Sequence, residues 1–381
     1  MNDRDRKLIW ALMVTYFAHY FAFNLWHTTF NNFAVELFSV DGRQIGLIQS
    51  LREIPGFLGF TAVIISLFLS EANIAALSTV ILGLGLIATG FSGSFLVLIL
   101  SSILMSIGFH YFYTVNSSLV LMVSEKRNVS HTVGKFRSIG SLSSILAMVA
   151  VYFFIESLGY RTLYFIAGGI AVVFGLYMFT QRSRAGHLSP RRKIVFRKQY
   201  WLYYILSFLE GSKKHVSSTF SIFLLVSIFH ISAKNISLIF MVNSIITIYT
   251  NQRLGKVVDR LGERNTLAFY YLFLAGIYLG FGFIKDVRVV IGLFILAQVA
   301  MGLTVALNSY LHKIAPAEEI TSNVSMRTTI DHIAAIIVPI IGGIIWTNVG
   351  YFATFLMGTG IVVAAFFLTL FLKTGKVEAG K

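Results

Sequence analysis

The amino-acid sequence predicts an all-α integral membrane protein, with twelve transmembrane helices in two pseudo-symmetric six-helix halves. Three observations predict it. Of 381 residues, 56% are hydrophobic and only 12% are Asp, Glu, Lys or Arg, about half the charge of an ordinary soluble domain. Apolar runs of about 18 residues or more, long enough to cross a hydrocarbon core, recur along the chain, and the mean hydropathy is +0.77. The longest polar segment, residues 181–199, divides the chain almost at its midpoint.

The elements follow in order. Charged residues from Met1 to Lys7 lead directly into an apolar stretch over 8–33. That stretch is twice the length of a signal-peptide core and has no small-x-small cleavage site, so it reads as an uncleaved first helix. At about 20 residues per crossing, five more helices are expected near 45–69, 72–91, 94–123, 135–157 and 160–180. Six follow the linker, near 200–229, 236–252, 265–284, 288–311, 324–348 and 351–372. The expected domains are therefore an N-terminal half, 1–180, a basic cytoplasmic linker, 181–199, and a C-terminal half, 200–381.

The net charge of +15 would suit nucleic acid, but the Lys and Arg residues sit mainly in short loops between apolar runs, where they orient a chain in a bilayer. With a cytoplasmic N-terminus, 21 Lys/Arg fall on the cytoplasmic side and five opposite, namely Arg43, Arg161, Lys234, Lys285 and Arg288. Both termini are thus expected inside, and the short loops point to a prokaryotic inner membrane. No nucleic-acid partner is expected, and the default assembly is a monomer whose partners are the lipid bilayer, a small solute and a coupling ion. There is no cysteine, which excludes disulfides, thiolate metal sites and thiol nucleophiles. The chain has no phosphate-cradling glycine loop, no HExxH spacing and no nucleophile elbow, so no enzyme, cofactor or metal site is expected. Without a Walker loop, the driving force should be an ion gradient, most simply of protons.

The halves echo each other at an offset of 190 to 192: Asn116-Ser117 with Asn308-Ser309, Arg137-Ser138 with Arg327-Thr328, and Gly159-Tyr160 with Gly350-Tyr351. After the eighth expected helix stands Gly255-Lys-Val-Val-Asp259-Arg260-Leu-Gly262-Glu-Arg264. Gly255 and Gly262 would allow close packing and a tight turn, while Asp259 and the arginines could tie helix ends together. This segment resembles the loop signature of the major facilitator superfamily, G-x-x-x-D-R-x-G-R/K. The resemblance implies a solute site between the halves at mid-membrane depth, with the first, fourth, seventh and tenth helices lining the cavity. Two departures stand out. Ser70-Glu71-Ala72-Asn73 replaces the signature between the second and third helices, and Pro339-Ile-Ile-Gly342-Gly343 resembles the end of an exporter element normally found in the fifth helix rather than the eleventh. A proline kink with glycine contacts in a packed helix explains the latter better.

Charges inside the spans are the candidate site, because each costs about 2.5 to 3.5 kcal/mol near the bilayer centre on insertion scales. In the seventh helix Glu210 can neutralise one of Lys213 and Lys214 by helical spacing, leaving the other to meet a substrate anion or another helix. In the second, Arg52 is expected to face the cavity and Glu53 to bond a neighbour or carry a proton. Pro55 also permits a helix that starts here, with both charges at the interface. Arg327 and Asp331, spaced i, i+4, read as a self-satisfied pair at the inner gate, and Arg137 is its echo without a local carboxylate. Asn24, His27 and Asn31 form a polar stripe on the first helix, joined by His110 and Asn116 on the fourth and Asn308 on the tenth. The expected roles are substrate binding for Arg52, His27, Asn24, His110, Asn116, Lys213, Lys214 and Asn308, and proton coupling for Glu53, Glu210 and Asp331. Gating falls to the loop signature with Arg137 and Arg327. The cationic excess favours secondary active transport of a small anionic or zwitterionic organic solute by alternating access. A proton-coupled exporter of amphipathic drugs is the alternative within that class, and a non-transporting membrane sensor or assembly factor the alternative outside it.

Overall fold

The structure is a computed structural model that describes residues 3–122, 124, 128–181 and 196–372. Among these there is no strand. Thirteen α-helices run in chain order: α1 (Asp3–Phe38), α2 (Gly42–Phe57), α3 (Thr61–Ile65), α4 (Glu71–Gly90), α5 (Phe95–Met122), α6 (Val129–Phe179), α7 (Trp201–His215), α8 (Ile222–Ser227), α9 (Ala233–Phe283), α10 (Val287–Ala300), α11 (Val305–Ile314), α12 (Ala317–Asn348) and α13 (Tyr351–Thr369). Nine helical stretches among the described residues are long and apolar enough to cross a membrane. Large apolar side chains such as Phe153, Phe269, Leu272 and Phe371 are more than half exposed, as expected where the solvent is lipid rather than water.

The departures from twelve separate spans have local causes. The expected fifth and sixth helices run on as the single 51-residue α6, which turns at Gly159, where φ is 73°. Likewise α9 turns at Gly262, at φ 75°. Both glycines occupy the left-handed region that a Cβ disfavours. The expected second helix is split. Pro55 lies inside α2, where its ring and missing N–H disturb the ladder, and a 3₁₀ turn at Leu58–Phe60 separates α2 from α3. Thr61 also donates its hydroxyl to the Leu58 carbonyl at 2.8 Å. The expected seventh helix is interrupted by a π-helical turn, Val216–Ser221, between α7 and α8. Most of the basic linker, 182–195, and the tail, 373–381, lie outside the described residues, and with them many of the charges on which the expected orientation rests.

The chain forms two compact units. The first comprises Met1–Ser39, Leu51–Arg191 and Ser232–Met241, with α6 packed on α1 and α4, and α4 on α5. Its inner core joins Leu12, Tyr16, Ala75, Phe112 and Phe136. The second comprises Val40–Ser50, Arg192–Ile231 and Val242–Lys381, with α7 packed on α12 and α13. Within this second unit the start of α2 lies against the end of α12 so closely that a Cβ on Gly46 would stand 2.1 Å from the Pro339 carbonyl oxygen, and one on Gly343 2.4 Å from that of Gly42. Pro339 and Gly343 thus serve helix packing here.

Candidate functional site

In the first unit, α1, the end of α2 and α5 assemble a charged cluster. Arg52 Nη2 lies 3.4 Å from Glu53 Oε1, and both side chains are nearly enclosed. These sequence neighbours therefore form a pair with each other, where separate directions were expected. The Arg52 guanidinium also stands over the buried Trp26 ring, 5.0 Å from its centroid, a favourable placement for a desolvated cation. On the other side of Glu53, His110 Nε2 approaches Oε2 at 3.7 Å. Ser106 donates to the Arg52 carbonyl, which ties α5 to the end of α2. Glu53 is thus held between a permanent cation and a titratable one.

The polar stripe of α1 divides its members. His27 packs between Phe23 and Phe240, with ring centroids at 5.9 and 5.7 Å, and Asn31 is buried. Asn24 turns its amide back on the Tyr20 carbonyl at 2.7 Å and borders a cleft of about 460 Å³, shared with Phe109 of α5 and Arg137 of α6. Asn116, one helical turn from Phe112 on α5, is half-buried.

In the second unit the two adjacent lysines of α7 separate. Lys213 is enclosed, with 1% of its side chain exposed, and pairs with Glu210 Oε1 at 2.7 Å. Its ammonium also donates to the Tyr270 hydroxyl. Tyr271 donates to Glu210 Oε2 at 3.0 Å, and Tyr278 to the Lys213 carbonyl at 2.7 Å. Glu210 Oε2 and the Lys213 carbonyl are thereby answered from α9, and Glu210 Oε1 by Lys213 itself. Lys214, 44% exposed, reaches across to Asp331 Oδ2 on α12 at 2.8 Å, and His215 Nε2 lies 3.9 Å from the other oxygen. Asp331 therefore belongs to Lys214 and not, as helical spacing had indicated, to Arg327. Arg327 donates instead to the Asn308 side chain on α11. The π-turn begins directly after His215; the extra residue per turn rotates the following side chains relative to this charged run.

The loop signature is resolved into unlike parts. Gly262 makes the turn, but a Cβ on Gly255 would meet nothing within 4 Å, so no close packing requires it. Asp259, Arg260 and Arg264 form no ion pair among the described residues. The tie between helix ends is made by Glu263, which accepts from Ser309 at 2.7 Å and pairs with Lys313 at 2.7 Å. Spacing arguments missed Glu263, the tyrosines of α9 and Trp26, because each becomes a partner only through contacts between helices. The visible signal is three phenols, Tyr270, Tyr271 and Tyr278, in one largely apolar span. A further tie also escaped the sequence. Glu319, the second carboxylate of α12, accepts from Tyr200 at 2.7 Å and meets Arg197 at 2.5 Å, fastening the end of the linker.

The family model described as Major Facilitator Superfamily matches residues 12–330 and 200–381. No curated protein sequence matches the chain. Among solved structures, the nucleoside transporter NupG is similar over 95% of this chain and 99% of its own, at 16% identity and a TM-score of 0.77. A bacterial homologue of the human lysosomal transporter Spinster, inward-facing and unoccupied, is similar over 100% of both chains, at 11% identity and a TM-score of 0.79. The peptide transporter POT in complex with alafosfalin is similar over 96% of this chain and 93% of its own, at 14% identity and a TM-score of 0.73.

Proposed function

The chain belongs to the Major Facilitator Superfamily of integral membrane transporters, and from that premise we propose that it moves a small anionic or zwitterionic organic solute by alternating access, coupled to protons. The reading takes the membrane to be a prokaryotic inner membrane, the chain to cross it twelve times with both termini inside, and the working unit to be a monomer.

One observation carries the reading. Lys214 and Asp331 keep an ion pair at 2.8 Å that is only partly enclosed, with 44% and 25% of their side chains exposed. A pair needed only for folding would be better sealed, as Glu210 and Lys213 are. An open pair on membrane helices can exchange partners. A solute carboxylate that takes Lys214 leaves Asp331 without its cation and ready for a proton, and His215 beside it offers a route for one. Solute and proton are then linked through one carboxylate. Glu53, between Arg52 and His110, is a second carboxylate placed to take part.

The test is uptake into proteoliposomes under an imposed proton gradient, across a panel of labelled organic acids and zwitterions. Asp331→Asn should abolish gradient-driven accumulation while leaving solute exchange measurable. Accumulation that survives this change at the wild-type level would remove Asp331 from the coupling scheme.

A further inference from the structure

Resting on the transport reading above, we infer that the cleft in the first unit is a recognition site for a planar aromatic carboxylate. Its walls are of two kinds. The rings of Tyr16, Tyr20, Phe23 and Phe109 line it, together with Arg137 and the hydroxyl-bearing Ser141 and Ser144. No carboxylate belongs to the lining. Phe23 and Phe109 lie stacked at a centroid separation of 3.9 Å and an interplanar angle of 15°, and Tyr16 and Tyr20 stand 4.6 Å apart at 41°. Two ring pairs give a polarisable aromatic wall against which a further ring can pack.

Arg137 supplies the opposite chemistry. It is exposed and has no ion pair among the described residues, and the residue one turn onward is Ser141 rather than an acid. Its fork of N–H donors fits both oxygens of a carboxylate, while Ser141 and Ser144, three apart on α6, share one helical face beside it. The volume, about 460 Å³, lies in the range of sites that enclose one small organic molecule. A cationic ring compound would meet the Arg137 charge unopposed, and an aliphatic acid would leave the ring wall unused.

The experiment measures binding of naphthoate, cyclohexanecarboxylate and naphthylmethylammonium to the detergent-purified full chain, by calorimetry and by shift of the unfolding midpoint. Naphthoate should bind best. Arg137→Gln should weaken it by roughly tenfold or more, the value of a charge-assisted contact, and Arg137→Lys by less. Phe109→Leu should weaken it by roughly threefold to tenfold, the value of a stacked pair, without weakening cyclohexanecarboxylate. Unliganded midpoints of all three variants separate a lost contact from a lost fold. Equal affinity for the aromatic and aliphatic acids, preference for the ammonium compound, or indifference to Arg137→Gln would each overturn the assignment. Naphthoate binding without flux in proteoliposomes would sink transport of this solute while sustaining the site; flux of other acids with no naphthoate binding would sink the site while sustaining transport.

Discussion

Ser309 donates its hydroxyl to Glu263 at 2.7 Å in the second unit. The first unit holds the same bond, from Ser118 to Glu71 at 2.6 Å. Glu71 precedes Glu263 by 192 positions and Ser118 precedes Ser309 by 191, the offset at which the sequence echoes itself. The first unit therefore keeps the serine–carboxylate latch at the place where it lacks the Asp-Arg signature. In the second unit Glu263 is also answered by Lys313, at 2.7 Å.

Removing either end of the first-unit latch should destabilise the fold. Glu71 is buried, so a lost charge-assisted bond there should cost about 1.5 to 3 kcal/mol. Glu71→Gln and Ser118→Ala should each lower the detergent unfolding midpoint, and the double variant should lower it by less than their sum. Strict additivity in that cycle would mean the two groups do not interact.

The two signature glycines should behave oppositely. Gly262 sits at φ 75° and ψ 161°, a region that essentially only glycine occupies, so Gly262→Ala should cost about 1 to 3 kcal/mol. Gly255 lies in a regular helix with open space where a Cβ would go, so Gly255→Ala should be neutral or stabilise by up to about 1 kcal/mol. Gly46→Ala should be the most damaging of the three, since its Cβ would be 2.1 Å from the Pro339 carbonyl and neither backbone can give way cheaply. Thermal midpoints of the three variants, measured together, check the ranking.

These glycines show what the sequence made legible. Apolar runs disclosed the membrane helices, and the loop segment disclosed the family, because both depend on local composition. The turn at Gly262 is legible because a loop glycine tolerates positive φ, although the same reasoning extended close packing to Gly255, which has none. The packing role of Gly343 was not decidable, since it depends on Gly42 some 301 positions earlier. Candidate partners were legible only inside one helix. Spacing allows Glu210 to pair with either Lys213 or Lys214 without choosing between them, and the same logic joins Asp331 to Arg327, whereas Lys214 of α7 holds that carboxylate. Stretches 45–69 and 200–229 were read as unbroken helices because hydropathy does not register a 3₁₀ or π turn.

Trp26 and Arg52 offer a test of the first-unit cluster. The guanidinium stands over the indole, 5.0 Å from its centroid, within reach of a partly desolvated cation–π contact worth about 1 to 2 kcal/mol. Trp26→Leu should remove that contact and open a cavity beside the core, costing about 3 to 5 kcal/mol in all, while Trp26→Phe retains part of both. If Arg52 holds Glu53 in place, Trp26→Phe should also alter the pH dependence of uptake by freeing Glu53 to favour His110. An unchanged pH profile would assign Trp26 to packing alone.

The neighbouring lysines Lys213 and Lys214 should divide folding from transport. Lys213 and Glu210 are sealed together with 1% and 8% of their side chains exposed. Removing one leaves a buried, uncompensated charge, at about 3 to 5 kcal/mol. Lys213→Met should therefore unfold readily, and adding Glu210→Leu should restore much of the stability, because a buried pair exchanged for apolar groups is often neutral. Lys214 is nearly half exposed in its pair, and water screening limits such a bond to about 0 to 1 kcal/mol. Lys214→Ala should keep the wild-type midpoint and lose solute uptake. Midpoints and flux measured on both variants decide the matter: a folded Lys214→Ala protein with full uptake would leave Asp331 without the partner through which solute and proton are linked, and would move the site of coupling to Glu53.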